Sequence, residues 1–232
     1  MSTPVFAVVQ ARMDSSRLPG KVLRLMLGRP MLAHLLDGLT RCTRLDGVVL
    51  ATSVEPSDDP LEAFAREYGV PVHRGPLDHV AQRVHDAAAA HGAGALVRVC
   101  ADSPLLSPAL VDEAVALFRE HRPDLASNVL TRTFPKGQSV EVLARRTLAE
   151  ALPRLADDAE REHVTRHFYA NADAYRIAEF RSGHDWGRIQ LSVDTAEDFS
   201  RAEALLAAMD RPHWEYGCAE LVALAQTLEA RP

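Results

Sequence analysis

Residues 5–9, Val-Phe-Ala-Val-Val, form an unbroken apolar run rich in β-branched side chains. A strand of this kind has no polar face, so it needs cover on both sides. Two further runs, 47–52 and 95–100, read the same way, and helical segments with their own start signals lie between them. Pro30 opens a helix over about 31–42, because proline is preorganised for the first helical turn. Asp59-Pro60 and Ser107-Pro108 each pair a capping side chain with a first-turn proline. Gly69 ends the helix begun at Asp59, and a short strand follows at 70–73. The alanine-rich stretch 78–91 is helical. Alternating strands and helices predict parallel pairing through helical crossovers.

The second half is less regular. Strands are expected near 125–143 around a loop at 134–138, then a helix over 158–171 and strands over 175–181 and 188–193. Thr195, with Asp198 three residues on, predicts a capping box and a helix to about 209. A last amphipathic helix is expected over 220–228. Repeats and linkers are missing, so 1–232 reads as one domain. The formal charge of −6 argues against a nucleic-acid partner. An anion can bind only where clustered cations override that sign. Three widely spaced cysteines, Cys42, Cys100 and Cys218, do not make a disulfide framework. The opening Met1-Ser2-Thr3-Pro4 lacks the basic and apolar regions of a leader, and apolar runs fall short of a membrane span. A cytoplasmic protein is the expectation.

The segment Gln10-Ala-Arg-Met-Asp-Ser-Ser-Arg-Leu-Pro-Gly-Lys21 follows the first strand directly. Open α/β sheets bind ligands beyond the carboxyl ends of their strands, where this loop belongs. Arg12 and Arg17 offer planar forks to phosphate oxygens and Lys21 a mobile point charge. Pro19-Gly20 supplies a tight turn that can aim backbone N–H groups at an anion. The competing reading is a solvated basic loop. Asp102 and Asp194 each follow a predicted strand, and each alone could be a plain turn residue. If the two strand ends converge, both could share one Mg²⁺, which takes one or two carboxylates and completes its shell with phosphate and water. Glu162-His163 and His167 have spacing that suits zinc on a single helix face; the alternative is one polar and one packed histidine.

These motifs resemble the cytidylyltransferases that activate acidic sugars, including the CMP-sialate and CMP-KDO synthetases, and most of all the spore-coat polysaccharide branch. Beyond the opening loop, the resemblance runs through His73-Arg-Gly-Pro-Leu-Asp-His-Val-Ala-Gln-Arg83, Arg98-Val-Cys-Ala-Asp-Ser-Pro-Leu105 and Pro135-Lys-Gly-Gln-Ser-Val-Glu-Val142. It continues through Glu160-Arg-Glu-His-Val-Thr165 and Leu191-Ser-Val-Asp-Thr-Ala-Glu-Asp198, six blocks in order over about 4–208. The resemblance implies a three-layer α/β/α sandwich around a mixed, mostly parallel sheet, of the nucleotide-diphospho-sugar transferase type, and a homodimer. It implies attack by an acceptor hydroxyl on the α-phosphorus of CTP, with Mg²⁺ as cofactor and pyrophosphate as leaving group.

Carried onto this chain, Arg12 and Lys21 bind the triphosphate, with Ser15 and Arg17 shaping the loop. Gln10, Ala11, Cys100 and Ala101 lie by the base, and Asp102 and Asp194 hold the metal. Arg12, Lys21 and Asp102 carry the catalysis, while Arg83, Glu141, Glu162 and His163 face a sugar-like acceptor. This chain departs from the pattern at Ala101, where the family has glycine, and at Cys100, where KDO-type enzymes have glutamine. Ser139 stands for an aspartate, and Gln10 for the proline of the sialate and KDO enzymes. The first two leave the base open, and Ser139 leaves the acceptor open. Three alternatives follow: a phosphonate or phosphate acceptor, with Arg98 and Lys136 as its cations; a nucleotide-binding protein without turnover; and a zinc hydrolase built on His163 and His167.

Overall fold

The computed structural model describes residues 3–230. The reading of the N-terminus at Met1 and Ser2 lies outside the described residues, as do the last two positions of the expected domain. In chain order the strands are β1 (Val5–Gln10), β2 (Leu25–Met26), β3 (Arg29–Pro30), β4 (Gly47–Ser53), β5 (Val72–Gly75), β6 (Ala95–Cys100), β7 (Leu125–Ser127), β8 (Glu141–Ala144) and β9 (Ile177–Glu179). The helices are α1 (Met31–Leu39), α2 (Asp59–Tyr68), α3 (Val80–Ala90), α4 (Pro108–His121), α5 (Arg145–Ala151), α6 (Asp158–Glu162), α7 (Arg166–Ala170), α8 (Ala196–Ala207) and α9 (Cys218–Glu229).

Seven strands form one sheet in the order β5-β4-β1-β6-β8-β7-β9, and β2 and β3 form a separate hairpin. β5, β4, β1 and β6 run parallel, as the alternation predicts. β8 is antiparallel to both its neighbours, which makes the sheet mixed. Alternate residues of β1 feed different cores. Val5, Ala7 and Val9 face a layer that includes α1, α2 and α4, whereas Val8 faces α3, α5 and α7. All four are fully buried, which is why the strand carries no polar face. The expected three-layer sandwich is present. A third cluster, Leu105, Leu191, Leu205, Tyr216, Leu221 and Ala225, packs α8 and α9 beside it.

Local chemistry explains most of the element boundaries. Pro30 is the residue before α1 and not its first helical residue, and Asp58, not Asp59, takes the cap position of α2, with Asp59 already helical. Thr195 and Asp198 form the reciprocal capping box: the Thr195 hydroxyl accepts from the Asp198 N–H, and the Asp198 carboxylate accepts from the Thr195 N–H. Thr195→Ala removes half of that box and is expected to destabilise the protein by about 1 kcal/mol. A thermal melt should then fall by roughly 2–4 °C. An unchanged melt would mean that α8 is held by its packing alone.

Two expectations fail. Residues 188–193 form no strand. Lys136 N–H donates to the Ile189 carbonyl, Leu191 N–H to the Lys136 carbonyl and Val193 N–H to the Asp102 carbonyl. The segment therefore straps two loops together, with a single parallel bridge at Lys136 and Gln190 in place of a ladder. The expected helix 158–171 breaks into α6 and α7, because His163 leaves helical geometry at φ −100°, ψ 73°. Val164 and Phe168 are both buried in the core on the α3 side of the sheet. His163 and His167 then do not share a helix face. His167 is buried against Glu160 and Tyr175, while His163 is exposed.

Candidate active site

Strand register brings the chemistry to one edge. Gln10 and Cys100 are partners at the carboxyl ends of β1 and β6, so the loops 11–21 and 101–106 leave the sheet side by side. Ala101 N–H donates to the Gln10 carbonyl at 3.0 Å, and Ala11 N–H to the Ala51 carbonyl at 3.1 Å. Asp194 arrives from far along the chain. The 2.8 Å hydrogen bond from Val193 N–H to the Asp102 carbonyl fastens its segment to the β6 loop.

Lys21 stands at the centre of this edge. Its ammonium donates to the Val193 carbonyl at 2.5 Å and lies 3.9 Å from Asp102 and 3.7 Å from Asp194. Arg17 pairs with Asp194 at 2.7 Å, and Arg12 with Glu162 at 3.1 Å. Each of the loop's three cations thus meets a carboxylate from the rest of the chain. Burial pushes the Asp102 carboxyl above its ordinary value, with Asp194 adding to the shift and Lys21 opposing it. Burial, aided by Asp102 and Glu141 and opposed by Arg98, pushes the Cys100 thiol up to about 12. At neutral pH that thiol is not a nucleophile.

The loop is held differently from the sequence expectation. Gly20 takes the left-handed turn at φ 69°, as Pro19-Gly20 suggested. The N–H groups of Ser15 and Gly20 donate to the Met13 carbonyl, and that of Lys21 to Leu18, so these amides are spent inside the loop. Asp58, unremarked in the sequence and lying just before α2, ties the loop to the end of β4: it accepts from Met13 N–H at 2.7 Å and from Ser53 N–H at 3.1 Å. Burial pushes its carboxyl up, but these hydrogen bonds outweigh burial and hold it below the ordinary range. Asp58→Ala leaves the Met13 and Ser53 donors without a partner in a buried site. The expected cost is about 1–3 kcal/mol. A thermal melt of the variant beside the wild type measures it.

Two cavities meet at this edge. The smaller, about 280 Å³, is bordered by Gln10, Ala11, Arg12, Ser15, Arg17 and Lys21 together with Asp102 and Asp194. The larger, about 710 Å³, is bordered by Glu141, Tyr169, Arg132, Lys136 and Arg166. Arg98, Cys100, Asp102 and His163 border both. Ala101 lines the smaller cavity, which is where it was expected. Glu162 also lines the smaller cavity, beside Arg12, and not the acceptor-side cavity to which the resemblance assigned it.

The floor of the larger cavity is an ion pair set by register. Arg98 of β6 is the partner of Glu141 of β8, and their side chains meet at 2.9 Å. Arg98 Nε also donates to Gln10 Oε1 at 3.0 Å, and the Tyr169 hydroxyl donates to Glu141 at 2.6 Å. The signal for Arg98 was a single charged residue inside the otherwise apolar strand β6; Tyr169, on α7, carried no such signal. Arg83 departs from expectation. It is 2% exposed, borders neither cavity, and donates to the carbonyls of Pro76 and Leu77. Its stem fills the space a Gly75 side chain would need, since a Cβ there would lie 2.9 Å from Arg83 Cγ.

The donor set suits a hard cation. Asp102 and Asp194 present oxygen alone, and Mg²⁺ needs few protein ligands when phosphates and water supply the rest. Among the described residues, groups of three or more His, Cys, Asp and Glu placed for a metal are absent. No helix among the described residues is long and apolar enough to cross a membrane.

Comparison with known proteins agrees with this geometry. The spore coat polysaccharide biosynthesis protein SpsF of Bacillus subtilis is 30% identical over 229 residues, covering 95% of this chain and 93% of that protein. A cytidylyltransferase structure from Leptospira borgpetersenii superposes with a TM-score of 0.92 at 27% identity, covering 98% of this chain and 96% of that one. CMP:2-keto-3-deoxy-manno-octonic acid synthetase, solved with CTP, shares the fold at a TM-score of 0.68 and 18% identity, covering 88% of this chain and 99% of that one. The family model described as cytidylyltransferase matches residues 6–226, and this chain belongs to that family.

Proposed function

We propose that this protein transfers the cytidylyl group of CTP to a hydroxyl of a sugar-like acceptor and releases pyrophosphate, with Mg²⁺ as cofactor. The observation that carries the reading is the placement of Lys21 within 4 Å of both Asp102 and Asp194, with Arg12 and Arg17 on the same loop. Phosphoryl transfer asks a protein chiefly for positioning and charge neutralisation, and this edge has the groups for both. Arg12, Arg17 and Lys21 exchange their carboxylate partners for phosphate oxygens, and Lys21 neutralises charge that develops on the departing pyrophosphate. Asp102 and Asp194, freed of those cations, would hold the metal. When bound, it supplies charge neutralisation at the phosphate oxygens.

The base lies against Gln10, Ala11, Cys100 and Ala101, where the high thiol pKa keeps Cys100 neutral. Arg98, anchored to Gln10 and Glu141, ties this surface to the acceptor cavity. Asp102 borders both cavities, so it stands where acceptor and nucleotide meet. The three cysteines are free, in keeping with a cytoplasmic setting, and the family resemblance supports a homodimer.

Titration with CTP in magnesium is expected to show one saturable site per chain. Arg12→Ala, which takes away one phosphate fork, should weaken it at least about tenfold. Equal affinity for CTP in wild type and variant would remove Arg12 from the nucleotide site.

A further inference from the structure

The larger cavity carries an uneven charge. Its buried pair, Arg98 and Glu141, is internally neutral, and Tyr169 donates to the same carboxylate. Asp102 stands on the part shared with the nucleotide loop, beside Lys21. The part of the cavity away from that loop is bordered by Arg132, Lys136 and Arg166, all exposed. Among the described residues, none of these three has a carboxylate within ion-pair distance; the one polar side-chain contact they make is Arg132 Nη1 to Ser139 Oγ at 3.4 Å. Three unpaired cations thus line one cavity of a chain whose formal charge is −6.

Their backbones are fixed by separate segments. The Arg132 turn is braced where Thr131 N–H donates to Glu179 and Trp186 N–H donates to the Thr133 carbonyl. Gly187 permits that approach, because a Cβ there would lie 2.7 Å from the Arg132 carbonyl oxygen. Lys136 exchanges backbone hydrogen bonds with Ile189 and Leu191 on both sides. Arg166 begins α7, just after the break at His163. Three cations from three separate segments border one cavity, and among the described residues none has an ion-pair partner.

We infer that this end of the cavity binds a dianionic phosphate or phosphonate group carried by the acceptor, remote from the hydroxyl that attacks. The inference rests on the cytidylyltransfer reading above and narrows its acceptor. A phosphate monoester carries about −1.5 to −2 charges at neutral pH and three acceptor oxygens. Two guanidinium forks and an ammonium match that group in charge and in number of oxygens. A single carboxylate would leave cationic charge uncompensated. Ser139, uncharged, lies at the same wall and adds a hydroxyl in place of a competing negative charge. Asp102 repels an anion from the shared part of the cavity, so the attacking hydroxyl lies there and the anionic group at the other end.

The test uses the full chain with its nucleotide site filled by the non-reactive analogue α,β-methylene-CTP and magnesium. Inorganic phosphate is then titrated by calorimetry, with acetate as the monoanionic control. The expected result is saturable phosphate binding that acetate does not reproduce. Combining Arg132→Gln, Lys136→Gln and Arg166→Gln should weaken it at least about tenfold, while analogue affinity stays unchanged. Undetectable phosphate binding, acetate binding of equal strength, or an unaltered triple variant would each overturn the inference and leave the nucleotide reading intact. Failure of the analogue to bind wild type would instead remove the reading on which it rests. Turnover provides the second arm: with CTP, polyol and sugar phosphate monoesters should exceed the matching aldonic acids by at least about tenfold in kcat/KM, and the reverse order would contradict the assignment.

Discussion

Lys21→Met will lower CTP-dependent pyrophosphate release by about 10²–10³-fold, the usual loss when one preorganised charge at a transition state is removed. Lys21 is 9% exposed and, among the described residues, is the one cation within ion-pair distance of both candidate metal carboxylates; Arg17 reaches Asp194 alone. Methionine keeps the stem and its packing but removes the ammonium. A second effect separates catalysis from mere disruption. Without nucleotide, Lys21 competes with any cation for Asp102 and Asp194. Mn²⁺ binding to the nucleotide-free protein, followed by electron paramagnetic resonance, should therefore strengthen in the variant while turnover collapses. Loss of turnover together with weakened Mn²⁺ binding would point to a misfolded loop instead.

Gly137→Ala is expected to damage both stability and activity. Gly137 sits at φ 92°, and a Cβ there would lie 2.6 Å from Ser192 N and 2.7 Å from Leu191 C. Both contacts are backbone, so no side chain can turn aside. Strain at a left-handed position costs about 1–3 kcal/mol before the clash is added. A melt lower by at least roughly 2–4 °C per kcal/mol follows for a chain of this size. The clash separates the Lys136 loop from the strap that continues through Val193 to Asp194. Asp194 then loses its register with Asp102 and Lys21, and pyrophosphate release should fall more than stability alone explains. Measured at a temperature where the variant is fully folded, unchanged kcat would show that the strap does not position Asp194.

The sheet and its reactive edge were legible because their causes are local. Apolar runs at β1, β4 and β6 need cover on two faces, and a loop of cations directly after such a strand must open at the carboxyl edge. Arg12, Lys21 and Asp102 follow from that logic. Asp194 was legible as a candidate, but its convergence depends on Val193 N–H and the Asp102 carbonyl, a contact between distant segments. The same strap was mistaken for a strand: Ile189, Leu191 and Val193 alternate as a strand would, yet both neighbours are loops and offer no ladder. Asp58 escaped notice because its role is to accept backbone hydrogen bonds from Met13 and Ser53, which its sequence position does not reveal. Arg83 shows the converse, a motif residue whose charge suggested a substrate while its burial beneath Gly75 assigns it to local structure. The break at His163, where the backbone leaves helical geometry, has no proline or glycine to announce it.

The central claim is that the Lys21 edge activates CTP. The most direct measurement is pyrophosphate release by the intact protein with magnesium, offering CTP, UTP, GTP and ATP in turn against a panel of acidic sugars, amino sugars, sugar phosphates and phosphonates. Release with CTP and one acceptor class, abolished by Lys21→Met, is the predicted result. Absence of both CTP binding and pyrophosphate release, or release that the Lys21→Met variant retains in full, would contradict it.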